Sequence, residues 1–166
     1  MRRYRIVTTL AMTALAALAS LDPIAAADQV PFKGTLDASY VVTVNPGPPP
    51  IGTFDGGGTG RATHLGNFTY EFPHQVNFGN LPPMGVGTYQ FIAANGDTLE
   101  AEFTGFSTPV EPGVVFVVEE AVIVGGTGRF SNASGEFTIM RFVDQVNRTT
   151  TGFFEGTISS PGAAKK

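Results

Sequence analysis

From Phe32 onward, apolar and polar residues take turns. Phe32, Leu36, Ala38, Tyr40, Val42 and Val44 alternate with Lys33, Thr35, Asp37, Ser39 and Thr43, the two-residue period of a β-strand with one buried face. Phe68, Tyr70 and Phe72 alternate with Asn67, Thr69 and Glu71 in the same way, and no helical stripe of 3.6-residue period follows Ala27. A chain patterned like this must build sheet, and its 21 glycines and 12 prolines supply the turns between strands.

Pro73 closes the second of those runs and predicts a bulge or an edge, because proline has no N–H for the ladder. Asn95-Gly96, between Gln90–Ala94 and Asp97–Thr104, predicts a two-residue hairpin turn with positive φ at both positions. Val114 to Val124 is apolar except at Glu119 and Glu120, which reads as a strand covered on both faces. Glu136–Arg148 and Gly152–Ser159 bring the total to about eight strands.

Two internal echoes choose the architecture. Gly57-Gly58-Thr59-Gly60-Arg61 returns as Gly125-Gly126-Thr127-Gly128-Arg129, which reads as one strand-entry turn used twice. Phe32-Lys33-Gly34-Thr35-Leu36 returns near the end as Phe154-Glu155-Gly156-Thr157-Ile158, as two adjacent strands in like surroundings would. If first and last strands pair, the sheet closes and no edge is left to template aggregation. The expected fold is therefore all-β, a single antiparallel eight-stranded β-barrel preceded by a cleaved signal peptide.

The signal peptide is expected over residues 1–27. Arg2, Arg3 and Arg5 precede an apolar run from Leu10 to Leu21 and the small residues Ala25, Ala26 and Ala27. The run is shorter than the roughly 20 residues of a bilayer span, so no stable membrane span is expected and the chain is secreted or periplasmic. The barrel then occupies residues 28–160 and a disordered tail 161–166. After removal of residues 1–27, seven basic and thirteen acidic side chains remain, a net charge of −6. Nucleic-acid binding is excluded, because phosphate recognition needs clustered Lys and Arg and these are scattered. With no cysteine there is no disulfide, thiolate metal site or cysteine nucleophile.

Gly125-Gly126-Thr127-Gly128-Arg129-Phe130, with Ala133 and Gly135, resembles the glycine signature of dirigent proteins and of the wider allene oxide cyclase-like barrel superfamily. The earlier copy, continuing through Thr63-His64-Leu65-Gly66, is similar to secreted bacterial members. The resemblance implies a small eight-stranded barrel with a central apolar cavity, and for the plant members cyclisation or stereochemical guidance of hydrophobic substrates. Outside the glycine motif nothing matches residue by residue, so no catalytic residue is carried over.

Parity makes Phe68, Tyr70, Phe72, His74, Tyr89, Phe91, Phe103 and Phe116 the candidate ligand-binding residues of a barrel interior. Period two also sends Glu119 and Glu120 to opposite faces, so one of them points inward. Burial there would raise its pKa and make it, with Tyr70, a candidate for proton transfer, unless Arg141 on the next strand pairs with it as a structural ion pair. His64 and His74 are ten residues apart without ligand spacing, so no metal is expected, and no cofactor is called for. The glycine repeat is no phosphate loop, since it lacks the Lys-Ser/Thr pair and the following helix. The leading expectation is a secreted, non-catalytic barrel that binds a small apolar ligand inside. The alternatives are an isomerase- or cyclase-like barrel acting on a hydrophobic substrate, and an envelope adhesion or partner-binding module.

Overall fold

The computed structural model describes residues 28–159; the expected signal peptide (1–27) and tail (161–166) lie outside them. Among the described residues the regular structure is β1 (Gln29–Asn45), β2 (Ile51–Ala62), β3 (Gly66–Glu71), β4 (His74–Asn77), β5 (Met84–Ala93), β6 (Thr98–Glu111), β7 (Val114–Gly126), β8 (Gly135–Asp144), β9 (Thr149–Ser159), and one turn of 3-10 helix at Gly128–Phe130. All strand pairs are antiparallel. β3 and β4 share one place in the sheet, because both pair with β2 and β5 and are parted only at Phe72-Pro73, where the proline cannot donate to a ladder.

The ring closes through β1, which pairs with β2 on one side and β9 on the other. It therefore has eight positions. The register explains the echo of the terminal strands: Phe32 lies opposite Gly156 and Phe154 opposite Gly34. Each phenylalanine thus faces the partner's glycine, and the two rings meet at 4.9 Å between centroids. A Cβ on Gly34 would run into the Phe154 ring and Ala62.

The two glycine repeats do not form the same structure, contrary to the single turn device that their sequence suggests. Gly57 to Arg61 lies within extended β2, where Gly56, Gly58 and Gly60 face inward. A Cβ at Gly56 would strike the Phe72 ring, and one at Gly60 the Phe68 ring and the Thr35 carbonyl. The bare backbone of β2 makes room for the aromatics of β3. Only the second copy turns: Gly125 and Gly128 have φ of 144° and 55°, which favour glycine. There the Thr127 hydroxyl accepts the Thr98 amide at 2.9 Å.

That second copy plugs one end of the barrel. Phe130, carried by the 3-10 turn, and Leu65, in the turn between β2 and β3, are buried there. The Arg129 guanidinium donates to the Leu65 carbonyl at 3.4 Å and lies 3.8 Å from the Asp97 carboxylate, so the plug is tied to two neighbouring turns. Above the plug, Phe32, Phe68, Phe91, Phe137 and Phe154 fill the bore with ring contacts between 4.9 and 6.4 Å.

Two local expectations need correction. The β5–β6 hairpin exists, but its loop has three residues: Gly96 donates to the Ala93 carbonyl and Ala93 to the Asp97 carbonyl, and only Gly96 has positive φ. This is a type I turn closed by a glycine bulge. The strand β7 is not covered on both faces; Val122 and Val124 are more than half exposed.

Candidate functional site

The end opposite the plug is open. Between the loops before β2 and β5 and the turns after β6 and β8, the bore widens into a cavity of about 70 Å³ that opens to solvent. Its walls are Tyr40, Phe54, Phe72, His74, Val76, Phe78, Val115, Val117 and Val143, and Glu119 and Arg141 also line it.

Glu119 is the inward glutamate, and Glu120 is exposed, accepting a hydrogen bond from Thr138 at 3.1 Å. Arg141 reaches Glu119 across the β7–β8 ladder at 2.6 Å, and the Tyr89 hydroxyl donates to the other carboxylate oxygen at 2.6 Å. Both charged side chains are almost fully buried. Glycines on either flank make space for them. Gly105 sits opposite Glu119 and Gly152 opposite Arg141, and a Cβ at either would collide with the charged residue's own side chain. A buried ion pair of this kind survives only with good geometry and further hydrogen bonds. Here the carboxylate has both oxygens taken, while Arg141 lies 5.0 Å over the Phe72 ring.

Polar atoms remain over. The Arg141 Nε and the Tyr70 hydroxyl are buried without a partner. Burial holds the Tyr70 and Tyr89 phenols well above their ordinary range, so both are neutral donors rather than bases. Burial opposes the charge of Arg141, but the Glu119 carboxylate beside it outweighs this and the guanidinium stays protonated. His74 stacks between Phe54 at 4.7 Å and Phe72 at 5.7 Å. Its Nδ1 lies 2.9 Å from the Phe72 carbonyl, which can only accept, so Nδ1 carries the proton. Burial lowers its pKa, leaving a neutral ring whose Nε2 is a free acceptor.

Neither a family model nor a curated protein matches the sequence. Among solved structures, the chain is similar to that of the pterocarpan synthase dirigent protein, with a TM-score of 0.50 and 20% identity over 87% of this chain and 98% of the other. The fold is dirigent-like. At that identity the likeness carries the barrel alone, and the site stands on its own geometry.

Within the dirigent-like barrel, the residues picked out by parity divide into three groups. Phe72 and His74 line the cavity. Phe68, Tyr70, Tyr89, Phe91 and Phe103 point inward but are buried in the packed bore. Phe116 is displaced: it shares parity with exposed Glu120, and its ring meets Phe142, itself half exposed, at 5.1 Å on the outer face. Counting inward from Glu119 would have placed Val115 and Val117 in the cavity instead of Phe116. Sequence reasoning also passed over Tyr40 and Phe54, although both share parity with inward neighbours, Leu36 on β1 and Gly56 on β2. Among the described residues, no group of three or more His, Cys, Asp or Glu side chains could hold a metal ion, and no helix is long and apolar enough to cross a membrane.

Proposed function

We propose that this chain is a secreted or periplasmic binding protein that holds a small, largely apolar molecule in the open half of its barrel without altering it. The observation that carries the reading is the asymmetry of the bore, solid with phenylalanine at the plugged end and open, aromatic and aliphatic at the other. A concave apolar site with a few convergent polar groups is the usual form of a small-molecule site. An isomerase or cyclase role draws less support, because Glu119 has both oxygens engaged by Arg141 and Tyr89 and is not a free base. Titration with the neutral dye N-phenyl-1-naphthylamine tests the proposal. Saturable binding of one dye per chain, abolished by Val117→Trp, supports it; absent binding, or binding indifferent to that substitution, refutes it.

A partner-binding role has one observation in its favour. Phe106, Val118, Met140 and Phe153 lie opposite one another across β6 to β9 on the outer face, with Phe116 and Phe142 beside them. Phe106, Phe142 and Phe153 are each about half exposed. Patches of this kind mark interaction surfaces. Glu120 and Glu155 border the band on one side and Glu111 and Asp144 on the other. A second copy would bring acid against acid, so the fitting partner is an apolar segment flanked by basic residues. An extended Leu/Lys peptide should bind in low salt and lose affinity in high salt or on Phe142→Ser with Phe153→Ser; salt-independent or absent binding would remove this reading.

A further inference from the structure

The polar groups at the cavity restrict what can occupy it, and the restriction rests on the binding role proposed above. Among the described residues, the ionisable side chains at the cavity are His74, Glu119, Arg141 and the phenol of Tyr40, and the neutral polar side chains of Ser107 and Gln145 stand in the same wall. Glu119 and Arg141 cancel each other at 2.6 Å, so the wall has no uncompensated charge there. An incoming carboxylate would give up its water shell and find a cation already neutralised, and an ammonium would find a carboxylate with both oxygens taken. The remaining capacity is of a different kind. Arg141 donates from Nη2 to Glu119 and has no other protein acceptor, with Nε left buried and unpartnered. Surplus donors on a neutralised guanidinium suit a neutral acceptor oxygen. His74 adds a second neutral group, an acceptor at Nε2.

We propose that the cavity selects a neutral carbonyl compound with an apolar body, such as a ketone, ester or amide, whose oxygen accepts from Arg141. Hydrocarbons of the same shape enter without that bond, and carboxylates are rejected by their desolvation cost.

Three probes of nearly equal shape separate the possibilities: 2-acetylnaphthalene, 2-isopropylnaphthalene and 2-naphthoate, each titrated calorimetrically at pH 7.5. The ketone is expected to bind about tenfold or more tighter than the hydrocarbon, as a hydrogen bond from a charged donor allows, and tighter than the carboxylate. Because single changes at the ion pair risk misfolding, the variant to use is the double substitution Glu119→Leu with Arg141→Met, which leaves no orphaned charge. In it the ratio of ketone to hydrocarbon affinity should fall toward one. Tightest binding by 2-naphthoate, equal binding of ketone and hydrocarbon, or a ketone preference that survives the double substitution would each overturn the proposal. If the hydrocarbon does not bind either, the binding role fails with it; if the hydrocarbon binds but the ketone gains nothing, only the selectivity fails.

Discussion

Glu119 and Arg141 are each costly alone and tolerable together. Replacing Glu119 with Leu strands a buried guanidinium, and the expected loss is about 3–5 kcal/mol of unfolding free energy. The Glu119→Leu, Arg141→Met double variant removes both charges and should recover most of that loss. Urea unfolding of the two variants measures it, and equal destabilisation would mean that the pair does not act as a unit. His74 supplies a pH signature of the same site. Burial depresses its folded pKa below the ordinary 6.5, so the unfolded chain takes up the proton first as pH falls. Its contribution to stability is complete above about pH 6.5 and drains away as pH drops toward the folded value. His74→Phe should flatten the fall in melting temperature over that window, and an unchanged slope would place the titration elsewhere. The inward glutamate and its partner were within reach of sequence reasoning, since period two forces one of two adjacent glutamates inside. Which one it was depended on the register of β7, and the extended apolar run around it left both parities equally plausible.

At the scale of the element, the glycine-rich stretch of β2 shows why a repeated motif is not a repeated structure. In Gly57 to Arg61 the glycines keep ordinary extended angles and yield space to facing backbone and rings, whereas Gly125 and Gly128 need positive φ. A sequence records that side chains are absent but not what fills the space. Adjacent positions therefore differ sharply. A methyl at Gly58 would enter the Asp37 carbonyl and Ala38 on β1, while one at Gly57 points to the other face and meets only the Tyr70 carbonyl at 3.2 Å and the Glu71 side chain at 3.9 Å. Gly58→Ala should cost about 1–3 kcal/mol and Gly57→Ala clearly less, by thermal or denaturant unfolding. Similar costs would argue against this packing of β1 on β2. The hairpin at Asn95-Gly96 was legible as a turn, but its length was not, because a glycine bulge and a two-residue turn demand the same Gly96.

The whole molecule is a closed sheet with one end stoppered and one end open. Closure was readable from the likeness of the first and last strands, and the register confirms its physical basis, a phenylalanine facing a glycine in each direction. The division of the bore into filled and empty halves was not readable. Parity sorts side chains into two faces but gives no depth along the axis, so Phe91 in the packed half and Phe72 at the cavity looked alike. The outer apolar band was hidden for another reason: the apolar run of β7 left its parity open, and Phe116, read as inward, lies with Phe142 on the outer face. Valine methyl groups sample all of these regions. Val76, Val115, Val117 and Val143 line the cavity, and Val86, Val122 and Val124 are exposed on the outer face. Following their NMR signals during titration with 2-acetylnaphthalene is the most direct test of a ligand-binding bore. The account predicts saturable shifts at the first four with the outer three still; shifts confined to the outer valines, or none that saturate, would contradict it.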